Sequence, residues 1–259
     1  MGKETVGNTI IGVSMRTQPA LKSLLSGDSG PTERVAEPLS NNYFKIRAAG
    51  SEGQRSSASI LINKMYATRG YMSNGLSGTG QDRYRMTLTA NDQEVTIGTL
   101  TIGFDNPEGL MADDLFKHEI DGLRSEGRKV CEFTKLAMEA SSKSTRALAS
   151  LFHVAYIYAR RIHGFQDLVI EVNPLHVAYY KRVLGFEVLG PERLNRRVNA
   201  PAVLLRLRFS YVEEMISKVG GSDKPPPAER SIYPYLFSIQ EEAGIVGRLK
   251  GMVMDSESQ

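Results

Sequence analysis

The sequence predicts an α/β fold, a mixed sheet with helices on both faces. Three observations carry that expectation. Between about residues 42 and 219, short runs with the two-residue alternation of strands alternate with longer runs of helical period, and no repeat occurs at a solenoid period. The early strands come as a hairpin, with Asn91-Asp92 as turn residues between two apolar runs. The later elements follow the order β-α-β-α-β, which lays helices over a sheet.

Tyr43-Phe44-Lys45-Ile46-Arg47 reads as a strand, and Gln54 to Tyr66 as a helix with Ile60, Leu61 and Met65 on its apolar side. Tyr84 to Leu88 and Val95 to Phe104 are the hairpin strands. A helix from about Met111 to Arg124 and a strand from Lys129 to Met138 follow. The longest helical pattern runs from Ser144 to Ile162, with Leu148, Leu151, Phe152, Ala155 and Ala159 on one face. Arg160 and Arg161 complement the dipole at its C-terminus, and Gly164 stops it. Leu168 to Val172 is a strand, after which Asn173 as N-cap and Pro174 in the first turn open a helix through about Leu184. Phe186 to Leu189 and Val203 to Arg208 close the sheet.

The core is expected over residues 42–219. Residues 1–41, rich in Ser, Thr, Gly and Pro, are expected as a poorly ordered leader with room for a short docking element. Gly220-Gly221-Ser222-Asp223-Lys224-Pro225-Pro226-Pro227 has linker composition, which makes residues 220–259 a linker and C-terminal extension. With 41% hydrophobic and 24% charged residues, the chain is neither collagenous nor wholly disordered. The 32 Lys and Arg against 29 Asp and Glu leave only +3, so nucleic acid is not an expected partner and any basic site must be local. A single cysteine, Cys131, permits neither an internal disulfide nor a thiolate zinc cage and fits a reducing compartment, the cytoplasm by default. No run approaches the roughly 20 apolar residues of a membrane span, and no His/Cys/Asp cluster has metal-ligand spacing.

The run from Asn173-Pro174-Leu175-His176 through Tyr179-Tyr180 to Gly185-Phe186 resembles the last helix and strand of the GNAT acyltransferase fold. That resemblance implies a mixed-sheet acyltransferase in which a helix tyrosine, here Tyr180, gives a proton to the departing thiolate; packing in the core is the alternative role. Where acetyl-CoA enzymes carry a glycine loop for the diphosphate, this chain reads Ser141-Ser142-Lys143-Ser144-Thr145-Arg146-Ala147, without glycine. Four further blocks occur in order: Gly98-Thr99-Leu100-Thr101, Gly109 to Phe116, Leu123 to Lys129, and Glu132-Phe133-Thr134-Lys135-Leu136-Ala137. Together they resemble the bacterial N-acyl amino acid synthases, GNAT relatives of the acyl-homoserine lactone synthases. The resemblance implies transfer of a long acyl chain from acyl carrier protein to the α-amine of an amino acid. It implies no cofactor beyond the donor's own phosphopantetheine thioester, and membrane contact only peripherally, through the product. Lactone synthases have Arg at the positions of Thr101 and Lys135 and an acidic pair where only Asp82 stands here, which points to a simple amino acid as acceptor.

Glu132 matches the family glutamate proposed as base for the amine. A carboxylate among apolar strand residues is otherwise a buried ion pair. Lys135, three residues on, reaches the same side only if the strand carries a bulge; binding the acceptor carboxylate and simple solvation are its two readings. Thr101 and Tyr71 are the other acceptor candidates, and backbone amides near Leu136 and Ala137 the expected oxyanion site. Cys131, adjacent to Glu132, falls on the opposite face as a small buried hydrophobe. Lys143, Arg146, Arg160, Arg161, Lys181 and Arg182 form a basic set that either steers the acidic carrier or merely solvates helix faces. An acyl-CoA-dependent GNAT enzyme and a non-catalytic acyl or carrier sensor are the competing functions. Ile232, Tyr233, Tyr235, Leu236, Phe237, Ile239, Ile245, Val246, Leu249 and Met252 are too apolar to remain in water. They are expected on the rim of an acyl tunnel, on a sheet edge or at a dimer contact, with the core able to fold without them.

Overall fold

The computed structural model describes residues 9–14, 43–68, 70, 83–139, 145–222 and 230–257. The expected strand-helix order holds from Tyr43 to Arg208, with the short strand Arg193–Asn195 added to it. The sheet is built from β1 (Thr9–Ser14), β2 (Tyr43–Ala48), β3 (Arg85–Asp92), β4 (Val95–Phe104), β5 (Val130–Met138), β6 (Asp167–Val172), β7 (Glu187–Val188), β8 (Arg193–Asn195) and β9 (Ala200–Arg208). Its spatial order is β1-β2-β3-β4-β5-β6-β9-β7, with β8 on β9. All pairings are antiparallel except β5 with β6. The docking element allowed for in the leader is β1, whose Ile10 and Val13 are buried. The β3–β4 turn falls at Gln93-Glu94, because Asn91 and Asp92 still pair with Thr96 and Val95 and the Asn91 amide donates to Thr96 Oγ1.

One face of the sheet carries α1 (Glu52–Ala67), capped by a reciprocal Ser51–Gln54 box, and α2 (Asp113–Ser125). Leu61 and Ile62 of α1 pack on Ala137, whereas Phe116, Ile120 and Leu123 of α2 pack on Val130, Val169, Ala202 and Leu204. The other face carries α3 (Thr145–Tyr156), extended by a π-helical turn over Ile157–Ile162, and α4 (Val177–Leu184). Asn173 caps the short turn leading into α4 by accepting from Leu175 N, and Gly185 ends α4 in the left-handed region at φ 79°.

The C-terminal part adds elements to the α3 face. Two helices absent from the sequence reading, α5 (Phe209–Val219) and α6 (Ile239–Glu257), pack on the α3 face together with the turn at Tyr233–Tyr235. Ile232, Tyr233, Leu236, Phe237, Ile245 and Leu249 are buried, each stabilising the fold by roughly 1.5–3 kcal/mol; Ile239 alone among the expected contacts stays exposed. These residues cover the outer side of α3, which is why every described face of that helix from Ala147 to Tyr156 is buried and not only the stripe read from its period. Ile232, Tyr233, Leu236, Phe237, Ile245 and Leu249 thus join the same core cluster as the α3 face of the sheet. Among the described residues, no helix is long and apolar enough to cross a membrane.

Candidate active site

Strands β5 and β6 pair over only three positions, Val130↔Asp167, Cys131↔Leu168 and Glu132↔Val169. Beyond them the strands part. β6 continues against β9, and β5 continues against β4 through a bulge. Thr99 faces Ala137 and Thr101 faces Thr134, so Lys135 and Leu136 together oppose the single residue Leu100. Lys135 takes φ 53°, a left-handed conformation that is uncommon for a lysine, and its carbonyl accepts from Thr99 Oγ1 at 2.8 Å. The bulge needed to bring Lys135 beside Glu132 is thus present. Burial, aided by Arg85, lowers the Lys135 pKa.

The parting opens a cleft of about 140 Å³ lined by residues of β5, β6 and the β8–β9 turn, with Tyr66 and Met111. Glu132, 1% exposed, lies on its floor. Its Oε1 accepts from Met111 N and its Oε2 from Ala112 N, both at 3.0 Å, and Arg85 stands 3.8 Å from Oε1. Burial raises its pKa against the pull of those two amides and of Arg85 and Arg197. Gly103 makes room for this side chain: a Cβ there would fall 2.7 Å from Glu132 Cγ and Oε1. The loop supplying the amides is clamped by Arg124, whose guanidinium bonds Asp105 and Asp113 at 2.6–2.8 Å. Cys131 points to the opposite face, and burial pushes its thiol well up, which keeps it unreactive.

Several cleft residues escaped the sequence reading. Glu171 of β6 binds Asn195 Nδ2 at 2.8 Å and Arg197 at 2.5 Å, both through Oε2. Arg197 also reaches the Met111 carbonyl and Asp114, tying the β8–β9 turn to the start of α2. Burial raises the Glu171 pKa, with Arg197 opposing and Glu132 reinforcing. Glu171 Oε1 and Thr134 Oγ1 are buried without a hydrogen-bond partner among the described residues. The available signal for Glu171 was the one that exposed Glu132, a lone carboxylate in an apolar strand.

Other expected residues sit elsewhere. Thr101 adjoins the site through β4 and bonds Thr87 Oγ1 at 2.8 Å. Leu136 is the second bulge residue, and Ala137 returns to register against α1. Tyr180 does not line the cleft; its ring packs edge-on to Tyr179 and Phe186 against the α3-side core. Tyr71 and Lys143 lie outside the described residues, as does most of the segment read against the glycine loop. The basic set is not one free patch. Arg146 donates to the Tyr235 carbonyl and covers the Phe237 ring, Arg160 pairs with Glu213, and Arg161 bridges Glu213 and Glu242. These three hold the C-terminal segment and α5, whereas Lys181 and Arg182 are exposed on α4.

The sequence profile of the N-acyl amino acid synthase FeeM matches residues 57–208, more than half of the chain and all of the cleft. The chain belongs to the FeeM family of N-acyl amino acid synthases. It is therefore an amide-forming acyltransferase of the GNAT-related fold. The structure of FeeM, an N-acyl amino acid synthase from uncultured soil microbes, superposes with a TM-score of 0.60 at 29% identity, covering 68% of this chain and 95% of that one. The acyl-homoserine lactone synthase LasI aligns at 14% identity and TM-score 0.48 over 64% of this chain and 89% of its own. An acyl-CoA N-acyltransferase from Pseudomonas aeruginosa aligns at 13% and 0.46 over 63% and 97%. No curated protein sequence matches the chain.

Proposed function

We propose that the chain joins the α-amine of a simple amino acid to a long acyl group delivered as a phosphopantetheine thioester on acyl carrier protein, in the cytoplasm and without a further cofactor. Family membership is the observation that carries this reading, and the cleft chemistry supports it. The cleft, about 140 Å³ and lined by Glu132, Thr134, Lys135, Glu171 and Arg197, offers charged and polar groups suited to the polar end of an amino acid. The cleft is thus assigned to the acceptor, with the thioester reaching it through the gap between β5 and β6. Lys135 is the cation for the acceptor carboxylate, and backbone amides near Leu136 and Ala137, at the bulge, are the donors to the developing oxyanion. Two carboxylates, Glu132 and Glu171, border the space into which the ammonium proton must go. The glycine-free Ser141 to Ala147 segment favours a carrier donor over CoA, and Lys181 with Arg182 supplies an exposed basic step for an acidic carrier.

The test is turnover of purified protein with matched acyl-carrier and acyl-CoA donors across a panel of amino acids, with the amide product identified by mass spectrometry. Amide formation with a higher kcat/KM for the carrier donor is expected. Equal or better use of acyl-CoA would overturn the carrier assignment, and thioester binding without any amide would make the chain a sensor.

A further inference from the structure

Glu132 and Glu171 differ in what their oxygens are already doing. Both Glu132 oxygens accept backbone amides at 3.0 Å, and those amides open α2, so its carboxylate serves as an anchor for the loop at Met111-Ala112. Glu171 is held by one oxygen only; Asn195 and Arg197 fix Oε2 and leave Oε1 unpartnered among the described residues. Thr134 Oγ1 is unpartnered in the same sense. Both atoms belong to residues lining the cleft. They also occupy matching positions on its two walls. Glu132 and Val169 are the last paired residues of β5 and β6, and Thr134 and Glu171 follow each by two, on the same face of the sheet. An unsatisfied buried carboxylate oxygen and hydroxyl are each costly, and a ligand supplying a donor to the one and a polar group to the other would relieve that cost.

We propose that Glu171 and Thr134, juxtaposed across the parting of β5 and β6, form the amine subsite, with Glu171 Oε1 as the proton acceptor and Glu132 as a positioning residue for the cleft wall. This rests on the amide-forming reading above. The acceptor ammonium gives one proton to Glu171 Oε1, and Thr134 Oγ1 accepts a hydrogen bond from the amine. The freed nitrogen lone pair attacks the thioester carbonyl carbon, the C–N bond forms, the C–S bond breaks, and the second nitrogen proton passes to the departing thiolate. Glu171 then releases its proton to solvent, so the sum is ammonium plus thioester giving amide, thiol and one proton.

The test compares wild type, Glu171→Gln, Glu132→Gln and Thr134→Val, with melting curves for each. Glu171→Gln is expected to keep the fold and the donor KM, to lower kcat by about 100- to 10,000-fold, and to lose the acidic limb of the kcat profile. Hydroxylamine as acceptor, already unprotonated at neutral pH, should recover most of that loss. Thr134→Val should raise the amino acid KM about 3- to 10-fold. Glu132→Gln should melt earlier while retaining the acidic limb. An active wild type with an unchanged Glu171→Gln profile, or a limb that vanishes in Glu132→Gln instead, overturns the Glu171 assignment alone. A wild type that makes no amide from any acceptor overturns the acyl-transfer reading and this assignment with it.

Discussion

Glu171 carries a buried charge whose pKa is raised, and its contribution to stability has a definite sign. A carboxyl that binds its proton more tightly when folded stabilises the fold at low pH and loses that contribution as pH rises from the ordinary carboxylate value upward. Glu171→Gln should therefore melt above wild type at pH 7.5 and lose that advantage toward pH 4.5, the opposite of its effect on turnover. A lower melting temperature at every pH would mean that the pair with Arg197 outweighs the burial of the charge. Gly103 gives a second prediction. Adding a methyl there drives into Glu132, so Gly103→Ala should cost about 1–3 kcal/mol in denaturant titration and lower activity by displacing the Glu132 anchor. Lys135 gives a third: Lys135→Gly relieves a left-handed lysine, so stability should hold or rise while the amino acid KM increases. A fall in stability would show that its side chain, and not its backbone, holds the bulge. Glu132 was legible because a lone carboxylate broke a local rule of the strand, and the bulge because the family motif asks residues three apart, Glu132 and Lys135, to serve one site. Asn195 and Arg197 were not, because a polar residue in a turn breaks no such rule.

At the level of elements, α3 is joined to α6 and the preceding turn through His153. Its Nδ1 accepts from Phe237 N at 2.9 Å, so the proton sits on Nε2 and is directed to Glu242 Oε2 at 3.1 Å. Arg161 takes the other Glu242 oxygen at 2.7 Å, and the Phe237 ring stacks on the imidazole at 5.2 Å. Burial holds the His153 pKa below its ordinary value, outweighing the pull of Glu242. A histidine depressed in this way adds stability above about pH 6.5 that is lost as pH falls, since protonation would remove the acceptor for Phe237. The melting-temperature advantage of wild type over His153→Asn should therefore shrink from pH 7.5 to 5.5; an advantage constant across that range would place the acid-sensitive group elsewhere. Helix starts and stops such as Asn173-Pro174, Gly164 and Gly185 were legible because their signals are local. The partner of His153 lies 89 residues away, and no neighbour in sequence announces it.

For the whole molecule, the composition and alternation placed the sheet and its order of elements, yet the apolar C-terminal segment looked separable because the Pro-rich stretch before it has linker composition. The structure instead puts Tyr233 Oη on the Leu184 carbonyl and Ile232 N on the Val183 carbonyl, inside the main core. A chain ending at Ser222 should thus lose cooperative unfolding by circular dichroism, whereas a retained sharp transition would restore the separable reading. The complete covering of α3 also bears on how the protein is made. A growing chain at a few to about 20 residues per second displays a finished β4–β5 pair and an apolar α3 well before α6 exists to shield it. Until residue 249 emerges, that helix is a client for whatever hydrophobic-binding factor waits at the ribosome. Slower synthesis or added chaperone is then expected to raise the fraction of folded enzyme, read as soluble protein in expression trials.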